Sequence, residues 1–101
     1  MAPIAIVFII VVYLAFKYAW IFYYNRGSAY MTKGQYDRAI LDFNKAVKIN
    51  TKFAHAYYNR AVVYAIKGEY DKAWQDVRNA QSLGHQVPWE FLKNLREASE
   101  K

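Results

Sequence analysis

The side chains that could do chemistry are few and poorly placed for it. The chain of 101 residues has no cysteine, which removes disulfides, thiolate metal sites and thiol nucleophiles together. Its two histidines, His55 and His85, stand 30 positions apart, and neither has an acidic residue at ligand spacing. A metal held by them would lack its remaining ligands. The carboxylates recur at wide intervals instead of forming a close pair for acid–base work. Gly34 and Gly68 each follow a lysine, as a glycine ending a helix does, and no phosphate loop or nucleophile elbow occurs. No catalytic residue, metal or cofactor is expected. What remains is a surface that binds.

The elements that carry this surface divide the chain in two. Hydrophobic residues make up 55% and aromatic residues 19%, with a net charge of +6. A chain of this length holds one small domain and an extra element. The first sixteen residues carry no charged side chain, and every acidic residue lies at or after Asp37. From Ile4 to Tyr24, Lys17 is the one charge. A helix crossing a bilayer needs about 17–25 apolar residues. Lys17 sits where its stem can carry the ammonium to the headgroups, and Trp20 and Tyr23 follow as an interfacial belt. Pro3 suits a first helical turn. No basic residue precedes the apolar run and bulky residues follow it, so a retained anchor is expected over a cleaved signal. A buried core helix is the other reading, but too little chain remains to wrap a segment apolar on every face.

Beyond the anchor the sequence repeats itself at a shift of 34 residues. Tyr23-Tyr24-Asn25-Arg26 returns as Tyr57-Tyr58-Asn59-Arg60, Lys33-Gly34 as Lys67-Gly68, and Tyr36-Asp37 as Tyr70-Asp71. Tyr30, Ala39, Asp42 and Ala46 return as Tyr64, Ala73, Asp76 and Ala80. Each unit reads helix–turn–helix. Gly34 and Gly68 close the first helices, and Asp37 and Asp71 open the second ones, where negative charge suits the helix dipole. Ala39, Phe43, Ala46 and Val47 form one apolar stripe, and Ala73, Val77 and Ala80 repeat it. Asn50 and Gly84 end the second helices, and a last helix starts near Pro88.

These residues resemble the tetratricopeptide repeat (TPR) family, whose period is about 34 residues. Gly27, Tyr30, Ala39, Phe43 and Ala46 match its signature in the first unit, with Tyr23 as the aromatic start. Tyr57, Ala61, Tyr64, Ala73 and Ala80 match in the second, where Val77 replaces the Phe. The signature Leu is Arg26 and Arg60, and its terminal Pro is Thr51 and His85, departures expected to loosen the junctions. The resemblance implies an all-α fold, with two TPR repeats over 21–53 and 54–87 and a capping helix over 88–101; the apolar run adds an N-terminal transmembrane helix over 1–20 that continues into the first repeat. From Ile4 to Arg26 there is no proline, glycine or capping residue before Asn25, so the anchor and the first repeat helix should be one unbroken helix from about Pro3 to Lys33.

The resemblance also implies a concave face lined by the first helix of each unit. In register, it would carry Tyr24, Asn25, Ser28 and Met31, then His55, Tyr58, Asn59, Val62 and Ile66, with Trp89 and Lys93 added by the last helix. Tyrosine and tryptophan give contact area at low entropic cost. Some family members grip a terminal carboxylate with Lys and Asn side chains, but here only Asn59 and Lys93 fall in register, so a full clamp is not expected. From Lys17 to Lys67 the net charge is +7, and from Gly68 onward it is −1, so the basic half lies next to the anchor. The expected function is a membrane-anchored TPR adaptor or accessory subunit that binds a protein partner and performs no chemistry. One alternative is a purely structural single-pass subunit of a larger membrane complex. Another is a basic lipid-surface or RNA binder, although no RNA-binding motif accompanies the charge. The positive-inside rule favours the cytoplasmic side for the repeat domain, with the trans side as the alternative because the rule weakens for translocated domains.

Overall fold

The computed structural model describes residues 2–101. It contains six helices: α1 (Ala2–Lys17), α2 (Ala19–Thr32), α3 (Tyr36–Ile49), α4 (Ala54–Ile66), α5 (Tyr70–Ser82) and α6 (Trp89–Ser99). α2 and α3 form one antiparallel hairpin, α4 and α5 a second, and α3 packs on α4 to stack the two. α6 covers the end of the second hairpin.

α1 and α2 form a single helical rod from Pro3 to Thr32 with a local irregularity at Tyr18. Tyr18 sits at φ −104°, ψ 9°. Its N–H still donates to the Leu14 carbonyl at 3.0 Å, and Ile21 N–H donates back to Tyr18 at 3.1 Å. The hydrogen-bond ladder therefore tightens for one turn without parting. No proline or glycine accounts for this. The expectation of one unbroken helix stands, with a single tightened turn in place of ideal geometry.

The turn glycines act as their spacing predicts. Gly34, Gly68 and Gly84 adopt φ of 77°, 79° and 88°, the left-handed region glycine enters without steric cost. At Gly34 the amide donates to Met31 at 3.1 Å and the next amide, of Gln35, donates to Tyr30 at 2.9 Å. Gly68 repeats this toward Ala65 and Tyr64, and Gly84 toward Gln81 and Ala80. Each pair closes the last orphan carbonyls of its helix. α3 ends differently: Asn50, the counterpart of Gly84, is extended at φ −121°.

Packing follows the apolar stripes. Ala39, Phe43, Ala46, Ala73 and Ala80 are fully buried and Val77 nearly so, while Ala61 and Val63 receive them from α4. The two hairpins solve the same packing problem with different volumes. A Cβ on Gly27 would meet the Phe43 ring at 2.9 Å, closer than real Cβ atoms come, so only glycine lets α2 approach this ring. In the second hairpin Ala61 stands where Gly27 does and Val77 where Phe43 does.

Arg26 and Arg60 do not loosen the array as their departure from the signature suggested. Arg26 donates to Asp42 through Nε at 2.7 Å and a terminal nitrogen at 2.9 Å. Arg60 donates to Asp76 through both at 2.7 Å, and its other terminal nitrogen reaches Asn44 Oδ1 of the preceding hairpin at 2.8 Å. Asp42 and Asp76 are buried, so each fork ties the two helices of its hairpin together where the signature would use an apolar contact. Burial works against the charge on Arg60, but the hydrogen bonds it donates to Asp76 outweigh this and hold Arg60 above its ordinary pKa. The Asp42 hydrogen bond does the same for Arg26.

Candidate functional site

The first helices carry the candidate face because helical spacing puts Tyr24, Ser28 and Met31 on one side of α2 and Tyr58, Val62 and Ile66 on one side of α4. The side chains are not equally available. Asn25, His55, Ile66, Trp89 and Lys93 are exposed, whereas Tyr24, Ser28, Met31, Tyr58, Asn59 and Val62 are partly buried. Tyr24 and Met31 pack against the Ala39–Phe43–Val63 cluster, so part of their surface already serves the core. Asn59 donates its amide to the Tyr24 hydroxyl at 3.1 Å and joins α4 to α2 across the stack. Lys93 holds its ammonium 5.4 Å above the Trp89 ring. The two residues in register for a carboxylate clamp are thus both engaged by neighbours. The Ser28 hydroxyl oxygen is buried with no hydrogen-bond partner among the described residues.

The face is organised by a run of rings that the register did not foretell. Trp20 meets Phe53 at 4.7 Å, and Phe53 meets Tyr24 edge-on at 4.7 Å. Phe53 also stacks on His55 at 5.4 Å, and His55 meets His85 at 4.9 Å. Tyr58 lies between His85, at 5.2 Å, and Phe91 of α6, at 5.6 Å. The rings therefore continue from the rod to the last helix, and burial raises the Tyr58 phenol above its ordinary pKa. His55 and His85, unrelated by sequence spacing, are brought together because Gly84 turns the chain back toward the start of α4. No group of three or more metal-ligating side chains converges among the described residues.

At the junction with the rod, Trp20, Tyr23 and Tyr24 pack onto Ala46, Val47 and Ala56. Phe22 is 58% exposed, with the Arg26 guanidinium carbon 4.9 Å from its ring centroid. Lys17 is exposed, between the Tyr13 and Tyr18 rings at 5.8 and 5.7 Å. The large apolar side chains of α1 are exposed, Phe16 to 75% and Ile4 to 77%. Among the described residues none covers them, and the rod carries an apolar stretch long enough to cross a membrane.

Stacked antiparallel helix pairs with a 34-residue period and glycine-closed first helices define an α-hairpin repeat protein. The family signature described as TPR repeat matches residues 27–68, and that described as tetratricopeptide repeat matches residues 54–83. The chain belongs to the TPR family. A search of curated proteins found no match.

Proposed function

We propose that this protein is a membrane-anchored TPR adaptor or accessory subunit, which holds a protein partner close to the bilayer and catalyses nothing. TPR repeats are protein-interaction modules. The observation that carries the finer reading is the shared rod: the apolar helix exposed on every face and the first helix of the repeat array are one element. In this reading residues 1–20 anchor, 21–87 form the two repeats and 88–101 cap them. The span immerses residues 3–20, with Lys17, Trp20 and Tyr23 at the headgroups and the repeats on the cytoplasmic side. The partner contacts the ring-lined face, chiefly through Asn25, His55, Ile66 and Trp89, which are free to give area. No nucleic-acid-binding motif accompanies the basic residues, which favours a protein partner over nucleic acid.

The purely structural subunit is a second reading with its own support. Ile21 and Phe22 at the open side of α2 are 43% and 58% exposed, and Leu41 on α3 is 61% exposed, as an end left for a permanent neighbour would be.

The test is affinity capture of the full-length chain from native membranes, with His55→Ala and Trp89→Ala variants beside it. The adaptor predicts partners that exchange and that these substitutions weaken. Subunits retained at fixed stoichiometry despite them favour the structural reading. Recovery of the full-length chain in a high-salt soluble fraction without detergent overturns the anchor and both readings.

A further inference from the structure

The groove between the rod and the end of α3 is a place that neither the repeat packing nor the partner face uses. Its apolar walls come from Phe16 and Ala19 on the rod and Ile49 on α3, with Tyr23 behind, and it encloses about 380 Å³. Lys45 and Lys48 form its rim on the α3 side. We propose that this groove is a binding site for one anionic glycerophospholipid, with an acyl chain along the apolar walls and the phosphate between Lys45 and Lys48. The proposal rests on the membrane-anchored reading.

Three observations select this occupant. The first is charge. Lys45 and Lys48 are exposed and form no ion pair among the described residues. The acidic side chains of this hairpin are committed elsewhere: Asp42 is buried against Arg26, and Asp37 pairs with Lys67. Two unspent ammonium groups therefore face a site with no competing carboxylate. Lys45 already lies 5.1 Å from the Tyr23 ring centroid, which keeps it over the groove. The second is depth. Ala19 lies about 26 Å along the rod from the start of α1 at Ala2, at roughly 1.5 Å per residue, close to the ~30 Å of a hydrocarbon core. The groove thus sits where acyl chain gives way to phosphate. The third is continuity. Phe16, 75% exposed, belongs both to the groove and to the apolar surface of α1, so a chain leaving the groove stays on apolar surface. A zwitterionic lipid could fill the walls but would bring its own cation to two lysines. A phosphatidylglycerol or similar anion would not.

Each lysine near an anionic headgroup contributes about 1 kcal/mol, so the pair corresponds to roughly 20- to 30-fold in preference. The experiment places the full-length chain in nanodiscs of phosphatidylcholine with a minor share of phosphatidylglycerol and reads bound lipid by native mass spectrometry. One retained phosphatidylglycerol per chain is expected. Lys45→Gln with Lys48→Gln should reduce its preference about 20-fold while the chain still floats with vesicles at high salt. Ala19→Trp keeps both charges but fills the groove, and should also abolish retention. Inorganic phosphate at millimolar concentration should not displace the lipid, since it lacks the chain. Retention by the Ala19→Trp variant would mean that the lysines attract lipid without a built site, and overturns the proposal. Equal retention of both lipids, displacement by phosphate alone, or a photo-crosslinker at Ala19 capturing polypeptide and no lipid would each overturn it too. In those cases the anchor stands, because flotation is intact. A wild-type chain that does not float removes the anchor and this site together.

Discussion

Removing Asp76 should cost much more stability than removing Asp42, although the two occupy the same place in successive repeats. Both carboxylates are buried, with side chains 3% and 4% exposed, and both accept a bidentate guanidinium. Their partners differ. The Arg60 side chain is 15% exposed and that of Arg26 is 43% exposed. In Asp76→Ala the guanidinium of Arg60 is left in the protein with only its Asn44 bond, since arginine does not shed its proton. Breaking a buried pair in this way costs about 3–5 kcal/mol, and the surviving bond puts the cost near the lower end, about 3 kcal/mol. In Asp42→Ala, Arg26 turns to water and the cost falls well below that. Removing both members of the second pair, as Arg60→Leu with Asp76→Ala, leaves no stranded charge and should recover a large part of the loss. The leucine is the residue the family signature carries at this place. Urea unfolding of the full-length protein in detergent, followed by far-ultraviolet circular dichroism, gives the free energies. An Asp42→Ala cost equal to or above that of Asp76→Ala, or a double variant no more stable than Asp76→Ala alone, would refute the reasoning.

Other consequences can be measured the same way. Gly27→Ala gains up to about 1 kcal/mol of helix propensity but forces the Phe43 ring aside, and overpacking of about 1–3 kcal/mol should win; combining it with Phe43→Val, the pairing found in the second hairpin, should restore the melting temperature most of the way. Gly68→Ala should cost about 1–2 kcal/mol from its left-handed backbone alone, because nothing lies within contact of the added methyl, and Gly68→Asn should cost less; equal melting temperatures for all three chains would count against the turn assignment. Burial raises the folded pKa of Tyr58 above its ordinary 10.0, so its contribution is complete below pH 10.0 and is lost as pH climbs through the higher folded value. Tyr58→Phe should therefore flatten the alkaline decline in stability, and a decline unchanged by that substitution would show that the phenol is not its source.

Much of the fold was legible because it rests on local rules. A 34-residue period fixes the hairpins, a glycine after a lysine marks each first helix, and small residues at Ala39, Ala46, Ala73 and Ala80 mark the close contacts. Gly34 and Gly68, expected to close the first helices, follow the ends of α2 at Thr32 and α4 at Ile66 by two residues each. What escaped depends on how one unit stacks on the next. The meeting of His55 with His85 requires Gly84 to reverse the chain over α4, and no spacing within a repeat encodes that. Arg26 and Arg60 read as defects because the signature was compared one position at a time. The co-return of Asp42 and Asp76 at the same shift, with a separation of sixteen residues in both pairs, was the signal that could have joined them.

The tightened turn at Tyr18 leaves the rod without a flexible joint, which makes α2 a lever arm. α2 has 14 residues, about 21 Å at roughly 1.5 Å per residue. A tilt of about 10° in α1 displaces the far end of α2 by about 4 Å, and the hairpins move with it because α2 is half of the first one. Apolar helices tilt to match the thickness of the surrounding bilayer. In a membrane the array would therefore act as a pointer whose reading is set by local lipid thickness. A partner also fixed in that membrane would meet the ring-lined face squarely at one thickness and off-axis at another.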